Sequence, residues 1–107
     1  MSKKKINFIS EIASSHSGKI KDVLKLSRLH LESRSNYLKY QIFKTENLYP
    51  KKEINFKKFK KFEINYSNWL KIINKFKNKT KLILEPFDEE SYLFCKKFKN
   101  HVSLKIS

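Results

Sequence analysis

Short strand-like segments with two unlike sides alternate along this chain with amphipathic helical stretches, and that alternation limits the fold more than any other feature. Residues 37–43 read Tyr-Leu-Lys-Tyr-Gln-Ile-Phe, rich in the aromatic and branched residues that favour a strand. Side chains alternate along a strand, so Leu38, Tyr40 and Ile42 share one side while Lys39 and Gln41 share the other. Residues 102–107 repeat the pattern, with Val102, Leu104 and Ile106 opposite Ser103, Lys105 and Ser107. Residues 5–13 read as the first strand, with Glu11 beside Ile12, and residues 82–87 as the third, with Glu85 beside Leu84. Between them, a helix is expected from Lys19 to about Ser33, burying Ile20, Val23, Leu24 and Leu31 on a stripe broadened by Leu26 and Leu29. Ser67 can cap a second helix, where Trp69, Ile72, Ile73 and Phe76 recur at helical spacing. Asp88 can cap a third, carrying Leu93, Phe94 and Phe98. Residues 44–65 read as a long connection with room for one short helical turn.

The order β-α-β-α-β-α-β implies a parallel sheet with right-handed crossovers. Strand order 1-2-3-4 is expected, with the helices on the apolar side. Parallel strands in open α/β sheets are usually apolar on both faces, whereas each strand here places a polar residue near its C-terminal end. In a (β/α)8 barrel one strand face meets the helices and the other points inward, and active sites form at the C-terminal strand ends. The fold class is therefore α/β, a partial (β/α)8 barrel with a four-stranded sheet, read as one domain over residues 1–107. Glu11, Lys39, Gln41, Glu85 and Lys105 are expected to converge. Pattern alone leaves open a half-exposed sheet whose polar side is wet.

With 25 Lys and Arg against 10 Asp and Glu, the formal net charge is +15. That balance favours anionic partners: nucleic acid, an anionic membrane or phosphorylated metabolites. The lysine–phenylalanine run at residues 51–62 admits a second function, a small basic nucleic-acid-binding protein holding phosphates and stacking bases. The favoured reading is a solvated connection whose Phe side chains dock on the body. The single Cys95 excludes an internal disulfide, fits a reducing, cytoplasmic setting, and reads as a packing residue. No signal peptide and no apolar run of membrane-spanning length is read, so no membrane partner is expected. His16 lacks a second ligand at metal spacing, and Ser14, Ser15 and Ser17 form no credible triad around it. Gly18 is the one glycine, so there is no glycine-rich phosphate loop.

Four motifs together resemble the N-terminal part of the N-acetylneuraminate (sialic acid) synthase family. Residues 11–18 read E-I-A-S-S-H-S-G beside the family's E-I-G-x-N-H-x-G, and L-K-Y-Q-I-F at 38–43 resembles V-K-F-Q-T-F. E-P-F-D-E-E-S at 85–91 resembles T-P-F-D-E-E-S, and L-K-I-S at 104–107 resembles Y-K-I-x-S. The resemblance implies a (β/α)8 barrel that condenses phosphoenolpyruvate with an N-acetylated aldose such as N-acetylmannosamine, releasing phosphate. It implies that Lys39 and Lys105 contact phosphoenolpyruvate and that Glu11 stands at the catalytic, sugar-side position; Gln41, beside Lys39, is expected to hydrogen-bond the same ligand. It also implies a divalent metal, Mn2+ or Mg2+, whose histidine ligands come from the later half of the barrel and are absent here. The chain departs from the pattern at Ala13, Ser15, Arg34 and Glu85; the last replaces a Thr and sets an anion beside an anionic ligand. A (β/α)8 barrel takes about 250 residues, so 107 residues are expected to be inactive alone and to self-associate through open sheet edges.

Overall fold

Apolar residues at every second strand position gather the helices onto one side of a parallel sheet. The computed structural model describes residues 8–12 and 18–106. The elements run β1 (Ile9–Glu11), α1 (Ile20–Glu32), β2 (Tyr37–Ile42), α2 (Thr45–Leu48), α3 (Ile54–Lys60), α4 (Tyr66–Phe76), β3 (Lys81–Pro86), α5 (Glu89–Lys96) and β4 (Ser103–Leu104). The strands form one sheet in the order β1-β2-β3-β4, and every neighbouring pair is parallel. Register sets Glu11 beside Lys39, Gln41 beside Glu85, and Ile83 beside Ser103. The expected α/β class and strand order therefore hold.

The apolar strand side carries the core. Leu38, Tyr40, Ile42, Leu82 and Leu84 are buried together with Val23 of α1, with Trp69, Ile72, Ile73 and Phe76 of α4, and with Phe94 of α5. Tyr40 packs its ring 5.1 Å from that of Trp69. Its hydroxyl bonds Ser27 Oγ at 2.7 Å, and burial holds the phenol well above its usual pKa. Cys95 is buried in the same core. Burial pushes its thiol up to about 12, which suits a packing residue.

The order of elements departs from the simple β-α-β-α-β-α-β expectation, because the 44–65 connection holds two helices, α2 and α3. Helices this short are marginal in water and need tertiary partners, which periodicity does not reveal. Here Glu63 Oε1 accepts from the Thr45 amide at 2.7 Å and from its hydroxyl at 2.8 Å. The Phe59 ring lies 5.1 Å from Tyr49 and 6.0 Å from Phe43. The docking reading of the Lys–Phe run thus applies to Phe59, whose ring is already packed.

Two further expectations change. Helix α4 is capped by Asn65, whose side chain accepts from the Asn68 amide at 2.8 Å; Ser67 lies inside the first turn. In α1, Ile20, Leu29 and Leu31 are exposed, while Ser27 and His30 are buried with Val23. The buried stripe accepts these polar groups because each is bonded. His30 Nδ1 pairs with Ser10 Oγ at 2.9 Å and Nε2 with Thr80 Oγ1 at 2.8 Å, joining α1 to β1 and to the turn before β3. The helix ends at Glu32, where the Ser33 amide and hydroxyl both donate to the His30 carbonyl, at 3.0 and 2.7 Å. Residues 5–7 and 13 of the expected first strand, the motif positions Ala13, Ser15 and His16, and Ser107 lie outside the described residues.

Gly18 is the position where only glycine serves. Its φ is 75°, and a Cβ there would collide with the Lys61 carbonyl oxygen. Gly18→Ala is expected to lower stability by more than about 1 kcal/mol, since left-handed backbone and close approach are both penalised; urea unfolding monitored by circular dichroism measures it.

Burial lowers the pKa of His30 below its usual value. The unfolded chain then binds the extra proton more readily, so this contribution is complete above about pH 6.5 and is lost as pH falls towards the lowered folded value. His30→Gln should flatten the stability–pH curve between about pH 7 and 5. Paired thermal melts of the two proteins check it; identical slopes would remove His30 from the account.

Candidate functional site

The sheet's second side gathers the charges. Lys39 and Gln41 project from β2 and Glu85 from β3, all opposite the core-facing Tyr40, Ile42 and Leu84. Glu11 ends β1, and Lys105 follows directly on β4. Glu11, Gln41 and Glu85 lie in the C-terminal half of their strands, Lys105 just beyond β4 and Lys39 near the middle of β2, so parallel alignment gathers the side chains towards one end of the sheet. The five residues singled out from the sequence meet there in a single network.

Lys39 Nζ lies 3.1 Å from Glu11 Oε1 and 3.3 Å from Glu85 Oε1. Gln41 Nε2 donates to the same two oxygens, at 3.0 and 3.4 Å. The other Glu85 oxygen lies 3.5 Å from Lys105 Nζ. The inner members are buried, with side chains 8% exposed at Lys39 and 7% at Glu85; the outer ones are half open, at 46% for Glu11 and 54% for Lys105. In strand order the charges alternate: Glu11, Lys39, Glu85, Lys105.

Desolvation works against both inner charges, yet pairing outweighs it. The Lys39 ammonium is drawn down by burial but held above its usual pKa by hydrogen bonds to Glu11 and Glu85. Burial pushes Glu85 up, and the hydrogen bond and charge of Lys39, helped by Gln41 and Lys105, hold it below the usual carboxylate range. Both stay ionised at neutral pH. Two carboxylates and two ammonium groups cancel, so the cluster is a neutral assembly of strong donors already engaged by an internal anion.

This donor set does not fit a divalent cation. The Lys39 ammonium sits against both carboxylates, and no group of three or more His, Cys, Asp or Glu among the described residues could hold a metal ion. The arrangement suits anion recognition instead. Lysine offers compact point charges, and Gln41 adds a neutral donor at the same height.

Asp88 organises the rim beside the cluster, a role that its reading as a helix cap did not include. It caps α5 by accepting from the Ser91 amide at 2.8 Å and hydroxyl at 2.9 Å. It also accepts from the Lys44 amide at 2.8 Å and the Asn47 side chain at 3.2 Å. Lys44 Nζ in turn reaches Glu90 at 3.1 Å. An open depression of about 360 Å³ nearby is lined by Pro86, Phe87, Asp88, Glu89, Tyr92 and Ile106; the charged network stands beside it and does not line it.

A four-stranded stretch of (β/α)8 barrel, with a charged network at the C-terminal ends of its strands, is the class of structure that this geometry defines. Its fold is similar to that of the N-acetylneuraminic acid (sialic acid) synthetase of Leptospira borgpetersenii serovar Hardjo-bovis, solved in complex with citrate. The TM-score is 0.78 at 18% sequence identity, over 88% of this chain and 33% of that chain. The chain thus spans about a third of the solved structure that it matches. No family model and no curated protein matches it.

Lys39→Met is expected to destabilise the protein by about 3 kcal/mol, because removing one partner leaves a buried carboxylate without its main counter-ion. The double variant Lys39→Met/Glu85→Gln should recover part of that loss. Urea unfolding of the two variants and the parent measures both steps; a Lys39→Met chain as stable as the parent would show that the pair contributes nothing.

Proposed function

We propose that this chain supplies the phosphoenolpyruvate-binding part of a sialic-acid-synthase-like barrel. Lys39 and Lys105 would hold the carboxylate and phosphate of the enol phosphate, Gln41 would add a hydrogen bond, and Glu11 would stand at the catalytic, sugar-side position. The single observation that carries the reading is the convergence of these residues on the C-terminal strand ends. The fold likeness to a sialic acid synthetase supports it. The reaction would be carbon–carbon bond formation between phosphoenolpyruvate and an N-acetylated aldose, with release of phosphate. The described strands are four of the eight that a (β/α)8 barrel requires, so the 107 residues alone are proposed to bind without turning over. A cytoplasmic, reducing setting suits the lone buried Cys95. No described helix is long and apolar enough to cross a membrane.

Glu85 sets the terms of binding. It occupies the position between Lys39 and Lys105 that an anionic ligand needs. Glu85→Gln frees one positive charge and should tighten phosphoenolpyruvate binding about tenfold, the size of one charge-assisted contact of roughly 1.4 kcal/mol. Lys105→Gln, a half-exposed change, should weaken it. Titration calorimetry with phosphoenolpyruvate on folded wild-type, Glu85→Gln and Lys105→Gln chains tests the reading. Equal affinities in all three would place the ligand elsewhere. Phosphate release from phosphoenolpyruvate and N-acetylmannosamine by the 107-residue chain would overturn the claim that it does not turn over.

A further inference from the structure

We propose that the end of the sheet opposite the charged network holds a second anion site, suited to a compact ligand with two linked phosphoryl groups. Tyr37, Lys81 and Ser103 open β2, β3 and β4, so parallel alignment sets them side by side at the N-terminal strand ends. An open depression of about 380 Å³ lies there. It is lined by Lys81 and Lys99, by Lys77 at the end of α4, and by His101 in the turn before β4. Thr80 and Ser103 add hydroxyl groups.

Lysine is common throughout this chain; what sets the depression apart is its lack of counter-charge. Its lining contains no carboxylate. The sequence carries no Asp or Glu from Ile64 to Leu84 or from Ser91 to Ser107, and these two stretches supply all of the lining except Tyr37. Lys39, Lys44, Lys60 and Lys105 each reach a carboxylate, whereas none of the described ion pairs involves Lys77, Lys81 or Lys99. The C-terminal ends of α4 and α5 lie at the same end of the sheet, and turn amides occupy their last carbonyls. The Phe76 carbonyl accepts from the Lys79 and Thr80 amides at 2.9 and 3.2 Å, and the Phe98 carbonyl from those of His101 and Val102 at 2.8 and 3.1 Å. The same bonds fix both turns that carry the lysines. Lys81 Nζ stands 5.6 Å from the centre of the Tyr37 ring, an attraction that holds the ammonium over the strand ends.

The ligand class follows from charge and size. A phosphoryl group carries a charge of about −1.5 to −2 at neutral pH, so two of them match three ammonium groups, which lysine presents as compact point charges. The volume falls within the roughly 300–1,000 Å³ of small-molecule sites. That favours a small diphosphate over a nucleic-acid strand, which needs a groove tracking several nucleotides. The ammonium groups repel one another in the free protein, and a diphosphate relieves the repulsion; binding should weaken as salt screens it.

Titration calorimetry of the 107-residue chain with inorganic pyrophosphate at low salt tests the proposal, with inorganic phosphate beside it. Pyrophosphate should bind at least tenfold more tightly than phosphate. The double variant Lys81→Gln/Lys99→Gln changes two exposed side chains, should keep the parent's circular dichroism, and should weaken pyrophosphate at least tenfold. Lys51→Gln/Lys58→Gln removes the same charge from exposed positions elsewhere and should leave the affinity within about twofold. Equal losses in the two double variants would reduce the effect to net charge and overturn the site. So would a single-stranded ten-nucleotide DNA that binds more tightly than pyrophosphate and loses its affinity in Lys81→Gln/Lys99→Gln, since the face would then be a nucleic-acid surface. Lys105→Gln separates this site from the functional reading. It should leave pyrophosphate binding unchanged, and a loss there would move the anion to the charged network and overturn the proposal.

Discussion

A lysine ammonium kept inside the protein by two carboxylates is the interaction on which the organisation of this sheet turns. Lys39 is 7% exposed, and an isolated charge so placed costs several kcal/mol. It is tolerable because β1 and β3 deliver Glu11 and Glu85 to either side of it. That requirement fixes the register of three strands: a slip of one residue would turn Lys39 into the core and Tyr40 into the charge network. The apolar core and the charged network are thus two sides of one constraint. The helices cover the first, and the charges settle which way each strand faces.

Because the network is neutral, the net positive charge of the chain resides elsewhere on its surface. Under the proposed function, what the network would offer an anion is an exchange: an incoming carboxylate or phosphate would take the donors that Glu85 holds. Such a site would gain little from long-range attraction and would depend on how well the ligand's oxygens match the spacing of Lys39, Gln41 and Lys105. Specificity under these conditions comes from geometry more than from total charge.

Much of this was legible in the sequence, for reasons that differ by element. Strand parity is a strict period of two, so the positions of Lys39, Gln41, Glu85 and Lys105 on one face followed from counting. Parallel order followed from alternation of strand and helix. Helix α1 was legible as a helix but not in its buried face, because Ser27 and His30 displace leucines through hydrogen bonds to Tyr40, Ser10 and Thr80. Those partners lie far away in the chain, and local pattern is blind to them. The same holds for α2 and α3, which lean on Glu63 and on the rings of Phe43 and Tyr49 against Phe59. Asp88 was legible as a cap from its place before two glutamates; its hold on Lys44 depends on the strands lying side by side.

That hold has a mechanical consequence. The Asp88 carboxylate receives donors from the segment that follows β2 and from the first turn of α5. The two loops at the open end of the sheet are therefore fastened to a single side chain. Neither can swing outward without releasing the start of α5, and a displacement of one is carried to the other. A molecule that touched only the loop after β2 would be felt at the helix after β3, so the rim behaves as one jointed piece and not as two independent flaps.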